Sequence, residues 1–191
     1  MKVSREQMAE NRRKILEVAG RLFREKGFDA VSVSDVMKAA GLTHGGFYGH
    51  FDSKDDLIVQ AICHAIDARK GAGDALDLRA FMDAYLSPKH RDNTAGGCPI
   101  AGLAADTLRQ TPEARSAVTD GVRAQIDWLV AQLAGLDDAA RRRQAVASCA
   151  AMVGAMILSR AATNPAFSDE ILKETRAWIE DGLDGSAGAI S

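Results

Sequence analysis

The sequence predicts an all-α protein built from a small N-terminal three-helix unit and a larger helical body. Three observations carry this. Apolar residues recur at helical spacing in nearly every long segment, as in Ile15, Val18, Ala19, Leu22 and Phe23. Cap residues stand at most of the boundaries between these segments. Aromatic residues make up only 5% of the 191, while alanine and glycine are abundant, which suits closely packed helices better than sheet. The expected division is residues 8–54 for the head, with its central motif over 32–51, residues 55–183 for the body, and a disordered tail over 184–191.

The first helix runs from about Glu6 to Lys26, with Arg12, Arg13, Arg21 and Arg24 on the face opposite the apolar stripe. Such an arginine face is either solvated or supplies a phosphate contact. Lys26-Gly27-Phe28 predicts a Schellman ending in which Phe28 reaches back to Phe23. Ser32 followed by Asp35 has the capping-box form, and Val33, Val36, Met37 and Ala40 give the next helix one apolar face. Gly41 stands where a left-handed residue would stop it.

Thr43 is then the next expected N-cap, with Leu42 and Phe47 as a hydrophobic staple around a helix over Thr43–His50. Gly45, Gly46 and Gly49 oppose that helix by roughly 0.8–1 kcal/mol each, about 3 kcal/mol together, so only packing of Leu42, Phe47 and Phe51 could hold it. From these residues alone the stretch reads either as a glycine-rich surface loop or as a helix whose bare backbone approaches a phosphate or base edge. Ser53 and Asp56 repeat the capping-box spacing and open a helix to about Lys70. Lys54 in its first turn opposes the helix dipole, which marks it as a residue with a role outside the fold, namely a DNA phosphate.

Three helices with these caps form a helix-turn-helix unit. Charge agrees mildly: ten lysines and arginines face seven acids through Lys54, against fourteen and nineteen beyond it. Residues 10–57 resemble the N-terminal domain of the TetR family of transcriptional regulators. The resemblance is carried by ILEVAGRLFREKGFDAVSVSDVMKAAGLTHGGFYGHFDSKDDL, in particular Gly27-Phe28, Ala40-Gly41-Leu42, Tyr48, His50-Phe51 and Lys54. It implies a dimeric, ligand-responsive, all-helical binder of a palindromic double-stranded DNA operator. By the same resemblance Thr43, His44 and Gly45 open the recognition helix, Tyr48 and His50 contact the DNA backbone, Ser34 supports the second helix, and Lys54 binds phosphate. Gly46 stands where many members carry a hydroxyl and Gly49 where many carry a larger polar side chain. Base reading is then left mainly to His44, with Thr43 touching a thymine methyl or a phosphate.

In the body, Gly71–Asp74 breaks the chain, and Leu76–Leu86 resumes helical spacing until Pro88. Lys89–Gly97 (KHRDNTAGG) is the most loop-like stretch and reads as a mobile lid. Helices follow over Ile100–Arg109 and from Pro112 to about Leu133, closed by Gly135, with Asp137 capping the next. The apolar run Ala145–Leu158 is 14 residues, short for a membrane span. Asn164-Pro165 precedes a last helix over Ser168–Leu183. Two final apolar helices suit either burial within one subunit or a four-helix homodimer interface, and the resemblance favours the dimer.

No HExxH, no P-loop and no strand followed by GxGxxG is present, so catalytic, metal and nucleotide-cofactor roles lack support. Three cysteines without CxxC spacing and the absence of a signal-like N-terminus predict a reducing, cytoplasmic setting. Cys63 and Cys149 read as structural. Cys98, after a loop and before Pro99, stands at a helix start where the dipole favours thiolate, and it resembles a branch of the family in which such a cysteine senses electrophiles or oxidants. A pocket for a small apolar or electrophilic effector is expected from Phe81, Met82, Tyr85, Ile100, Leu103, Trp128 and Met152 near Cys98. Three readings follow: a repressor released by that effector or by Cys98 modification, a helix-turn-helix activator or ligand-independent DNA binder, and a small-molecule-binding helical protein with no DNA role.

Overall fold

A computed structural model describes residues 4–69, 77–133 and 137–187, with side chains through residue 183. Its helices are α1 (Arg5–Lys26), α2 (Val33–Ala39), α3 (Lys54–Asp67), α4 (Leu78–Tyr85), α5 (Pro88–Asp92), α6 (Pro99–Thr107), α7 (Pro112–Gln132), α8 (Asp138–Ala161) and α9 (Pro165–Ala187), with a 3-10 helix over His44–Gly49. No strand occurs among the described residues. The chain forms two compact units, residues 1–70 with 98–119, and residues 71–97 with 120–191. The division therefore falls elsewhere than the expected break after Lys54: all of α3, all of α6 and the first part of α7 fold with the head.

In the first unit α1, α2 and α3 enclose a core of Ile15, Ala19, Phe23, Phe28, Val36, Met37, Phe47, Phe51, Leu57, Ile58 and Ile62, to which Leu103 of α6 and Ala114 and Ala117 of α7 belong. Each large side chain buried there contributes about 1.5–3 kcal/mol. The capping box of α2 forms as the sequence predicts: the Asp35 amide donates to Ser32 Oγ at 3.1 Å, and the Ser32 amide to Asp35 Oδ2 at 2.9 Å. Ser53 caps α3 by accepting from the Asp56 amide at 3.0 Å.

The two glycine stops differ. Gly41, at φ +70°, ends α2 in a Schellman pair, with the Leu42 amide on Met37 O at 2.9 Å and the Gly41 amide on Lys38 O at 3.0 Å. Gly27 has φ +78° but ψ 165°, so α1 ends with a single bond from its amide to Phe23 O rather than the expected Schellman pair. Phe28 still reaches Phe23, ring centroids 5.2 Å apart. The positive φ is what calls for glycine there; a Cβ would also lie 2.8 Å from Asp106 Oδ2 of α6, a side-chain end that has to move aside.

In the second unit α8 and α9, joined by residues 162–164, lie against each other, and Leu129 of α7, Leu133 just past its end, and Ala145 and Cys149 of α8 form a buried cluster. Asp137 caps α8, accepting from the Ala140 amide at 2.8 Å. Over 18 residues α8 reaches a mean hydropathy of 1.3, so by length and composition it is able to span a membrane, unlike the shorter run read from the sequence. Its stripe of Ala145, Ser148, Cys149, Met152, Ala155, Met156 and Ser159 is nevertheless buried inside the protein, which is how a core helix attains the same figure.

The stretch expected as an open lid is instead partly helical and tied down. Ser87 caps α5, and Arg160 of α8 donates to Arg91 O at 3.0 Å and His90 O at 3.1 Å. Arg91 in turn donates to Ser168 Oγ at 2.8 Å, and Ser168 to Ser159 O at 2.7 Å. Gly97 sits so close to this knot that a Cβ would meet Asn93 O and Arg160 Nη2, both at 2.7 Å. Helix α9 continues to Ala187, past the expected end at Leu183. The expected break at Gly71–Asp74, the stop at Gly135 and the tail residues 188–191 lie outside the described residues.

Candidate nucleic-acid interface

The element expected as a recognition helix over Thr43–His50 is a 3-10 helix of six residues, His44–Gly49. Three glycines in six positions remove the propensity that would extend an α-helix, and the tighter 3-10 form is the one used in short pieces. Thr43 occupies the cap position with extended backbone, but its hydroxyl makes no capping bond. The segment is held from below instead. Phe47 is buried, stacks on Phe51 at 5.6 Å between centroids, and receives the edge of Tyr48 at 5.2 Å.

Above this anchor the predicted contact residues come out on the surface together. Ser34, Thr43, His44, Gly45 and Gly46 are exposed, and Tyr48 is 71% exposed although it is aromatic. Among the described residues nothing requires glycine at these positions: a Cβ at Gly45 would meet no atom within 4 Å, and at Gly46 and Gly49 only ordinary contacts at 3.8 Å.

The sequence reading missed the clamp behind this face. Arg12, placed on the solvated side of α1, donates to the His50 carbonyl and to Gln60 Oε1, and its guanidinium lies 4.6 Å from the centre of the Phe51 ring. One cation thus fastens α1, the 3-10 segment and α3. A faint signal existed: Arg12 precedes buried Ile15 by one turn and so borders the apolar stripe. Arg13, by contrast, pairs with Glu10 and Glu17 on the surface.

Lys54 is also explained locally. Its Nζ donates to Phe28 O at 2.7 Å, joining the start of α3 to the end of α1. That bond supplies a reason internal to the fold for a cation in a first helical turn.

His50 is half-buried, and burial, followed by the neighbouring Arg12 charge, lowers its pKa below the ordinary 6.5. The unfolded chain then takes up a proton at higher pH than the folded one, so stability rises with pH across that interval. Stability should be complete above about pH 6.5 and decline as pH falls below it and through the folded value. Thermal unfolding of wild type and His50→Gln from about pH 7.5 to 5 checks this, with a flatter profile expected for the variant.

Residues 75–173, just over half of the chain, match the family model described as the C-terminal domain of LmrA/YxaF-like transcriptional regulators, and residues 15–61 match bacterial regulatory proteins of the tetR family. The chain belongs to the TetR family.

Among relatives, the repressor KstR2 of Rhodococcus jostii is 30% identical over 95 residues, covering 47% of each chain. The uncharacterized regulator YvdT of Bacillus subtilis is 36% identical over 90 residues, 41% of this chain and 46% of that one. The matched stretch spans about half the length of these curated relatives. A TetR-family structure from Cytophaga hutchinsonii superposes with TM-score 0.76 at 21% identity, covering 96% of this chain and 98% of that one. The reduced form of Escherichia coli NemR superposes with TM-score 0.74 at 21% identity, covering 90% and 96%. At that identity the likeness concerns the fold.

In this TetR-family chain the residues expected to form one effector site fall in different compact units. Cys98, Ile100 and Leu103 belong to the unit that carries the head, where Leu103 is part of the core. Cys98 is the N-cap of α6 and only 2% exposed, so its sulfur is buried rather than open at a loop. On the same unit α6 runs close over α1, since a Cβ on Gly102 would come 3.1 Å from Arg24 Cγ. Burial, with the like charge of Arg69, lowers the pKa of Arg24, and the nearby Cys98 sulfur opposes that shift. Phe81, Met82, Tyr85, Trp128 and Met152 belong to the other unit, with Phe81 and Trp128 rings 4.6 Å apart. Met82 and Met152 line a cavity closed by Leu78, Leu129, Leu133 and Ile179, about 10 Å³ in volume and so room for about one water. Cys149 is buried as expected, but Cys63 is exposed on α3 and does not serve the core.

Proposed function

We propose that this protein is a dimeric transcriptional repressor that sets the 3-10 segment His44–Gly49 into the major groove of a palindromic operator. One observation supports this above the others. Gly45, Gly46 and Gly49 cost helical stability, yet no neighbour among the described residues requires their small size, which favours a reason for glycine outside the chain. A surface that must admit a DNA backbone at close range supplies that reason. His44 reads a base edge and Thr43 a thymine methyl or a phosphate. Tyr48 and His50 hold the DNA backbone from the exposed and half-buried sides of the same turn. Ser34 flanks them from α2. Lys54 spends one of three N–H donors on Phe28 and keeps the others for phosphate.

Pairing of two copies fits the exposed apolar residues of the last two helices, Val146, Ile157 and Leu158 on α8 and Phe167 and Trp178 on α9. Release would follow from an apolar or electrophilic effector, with Cys98 as one target. Its burial at the cap of α6 means that a substituent on sulfur displaces α6 against α1, within the same unit as the DNA-facing turn. Spacing of the two heads, roughly 34–36 Å for successive grooves, is the quantity such a shift would disturb.

Mobility shifts on the DNA upstream of the gene, at two salt concentrations, are the test. Tyr48→Ala should weaken binding to all sequences alike, whereas His44→Ala should lose about 1–3 kcal/mol of discrimination at one base pair. Absence of a salt-dependent specific complex defeats the DNA reading. If Cys98→Ser is released by quinones or hypochlorous acid just as the wild type is, the thiol is not the switch.

A further inference from the structure

Residues 86–97, which follow α4 in the second unit, close around one glycine. A Cβ on Gly97 would lie 2.7 Å from the backbone oxygen of Asn93, 2.7 Å from Arg160 Nη2 and 3.1 Å from His90 Nε2. The side chains of His90 and Arg160 therefore converge on one point. Their nitrogens stand within about 6 Å of each other, the range in which one charge disfavours a second of like sign. The other ring nitrogen of His90 is fixed too. Nδ1 lies 2.7 Å from the Tyr85 carbonyl, which only accepts, so in the neutral ring Nδ1 carries the proton and Nε2 carries none. Tyr85 also packs edge-on against this ring, centroids 4.7 Å apart. Arg160 is at the same time the residue that fastens the stretch to α8, donating to Arg91 O at 3.0 Å and His90 O at 3.1 Å.

The ionisable groups about the ring come from each element packed there. Helix α8 supplies Arg160. Helix α9 supplies Asp169, already paired with Arg91 at 2.6 Å, and on α5 itself Asp92 is paired with Arg91 at 2.8 Å while Lys89 is exposed. Helix α4 supplies Tyr85, and Asp83 of that helix pairs with Arg176. With these carboxylates engaged by arginines, a proton on Nε2 adds a second positive charge beside Arg160. We propose that His90 makes this stretch a pH-operated latch: with the ring neutral α5 stays fastened to α8, and protonation loosens residues 88–97 from α8 while the rest of the unit stays folded. The closed latch prefers the neutral ring, so it takes up a proton at lower pH than the open one, and opening is favoured as pH falls below about 6.5. The latch lies wholly within the second unit and requires neither DNA nor an effector.

Amide hydrogen exchange of the full chain, followed by mass spectrometry at about pH 7.5 and about pH 5.5 and corrected for the intrinsic pH dependence of exchange, reads the latch peptide by peptide. In the wild type the protection of residues 88–97 should fall about tenfold more at the lower pH than that of α8 and α9, the effect of a one-unit difference between the open and closed ring. His90→Gln keeps a donor for the Tyr85 carbonyl but takes up no proton, so its protection should be the same at both pH values. Arg160→Gln removes the opposing charge together with the bonds to the two carbonyls. It should lower protection at both pH values and abolish the difference between them. The chain has four histidines, and their NMR titrations, with His90 assigned by its loss in His90→Gln, give a second measure: the His90 midpoint should rise in Arg160→Gln. Equal protection of residues 88–97 at both pH values in the wild type overturns the latch, and so does an undiminished fall in His90→Gln. Loss of protection in α8 and α9 to the same extent overturns it as well, since the whole unit then opens together. A His90 midpoint that does not move in Arg160→Gln overturns the opposition of charges on which the latch rests.

Discussion

Phe47→Ala is expected to abolish operator binding while lowering stability by about 3–5 kcal/mol. Phe47 is the buried residue of the 3-10 segment, and its ring carries both Tyr48 and the stack on Phe51. Alanine keeps the backbone but removes the buried side chain by which the glycine-rich turn is seated in the core. The rest of the core of the unit, from Ile15 to Ile62 with Leu103, is untouched by this change, so α1, α2 and α3 are expected to stay folded. Urea unfolding should therefore show a lower midpoint with a cooperative transition retained, and mobility shifts should show no specific complex. Operator affinity equal to wild type would mean that the DNA-facing surface does not depend on this turn.

Arg12→Met is expected to cost about 2–3 kcal/mol, less than the sum of its parts because the contacts share one side chain. Methionine preserves the stem along α1 and deletes the donors to the His50 carbonyl and Gln60, together with the cation over Phe51. Arg12→Lys should recover only a minor part, since a point ammonium lacks the planar fork that reaches two acceptors while lying on a ring. A spectroscopic check is available. With the Arg12 charge gone, one of the two causes lowering the His50 pKa disappears, so the His50 titration should move upward toward 6.5. Chemical denaturation of both variants and a histidine NMR titration decide the matter; an unmoved His50 midpoint would remove Arg12 from its surroundings.

What could be read from the residues was whatever local rules encode. Ser32 with Asp35, Gly41 with Leu42, Ser53 with Asp56 and Asp137 are caps whose chemistry is complete within four or five positions, and the structure realises each of them. The exposed set around Tyr48 followed from the same spacing together with a family resemblance. Contacts that join distant stretches left no such trace. Arg12 meets His50 across 38 positions and Lys54 meets Phe28 across 26, and in both cases the partner is a backbone carbonyl, which every residue has. Arg160 reaches His90 across 70 positions, and that turned a lid-like, polar sequence into a pinned helix. The 3-10 form of the His44–Gly49 turn was hidden for a different reason: the staple and the glycines pull in opposite directions, and the buried stack of Phe47 on Phe51 decides between them.

The way α6 shares the core of the first unit bears on how such regulators can be recombined. Leu103, Ala114 and Ala117 complete the same hydrophobic cluster as Phe23 and Leu57, and Asp106 fills the space left by Gly27. The part proposed to meet DNA is thus not a detachable cassette of contiguous sequence. A chimera that grafts only the first 70 residues onto another body inherits a surface shaped for this chain's own residues 98–119, and a graft that carries both segments keeps its interior whole.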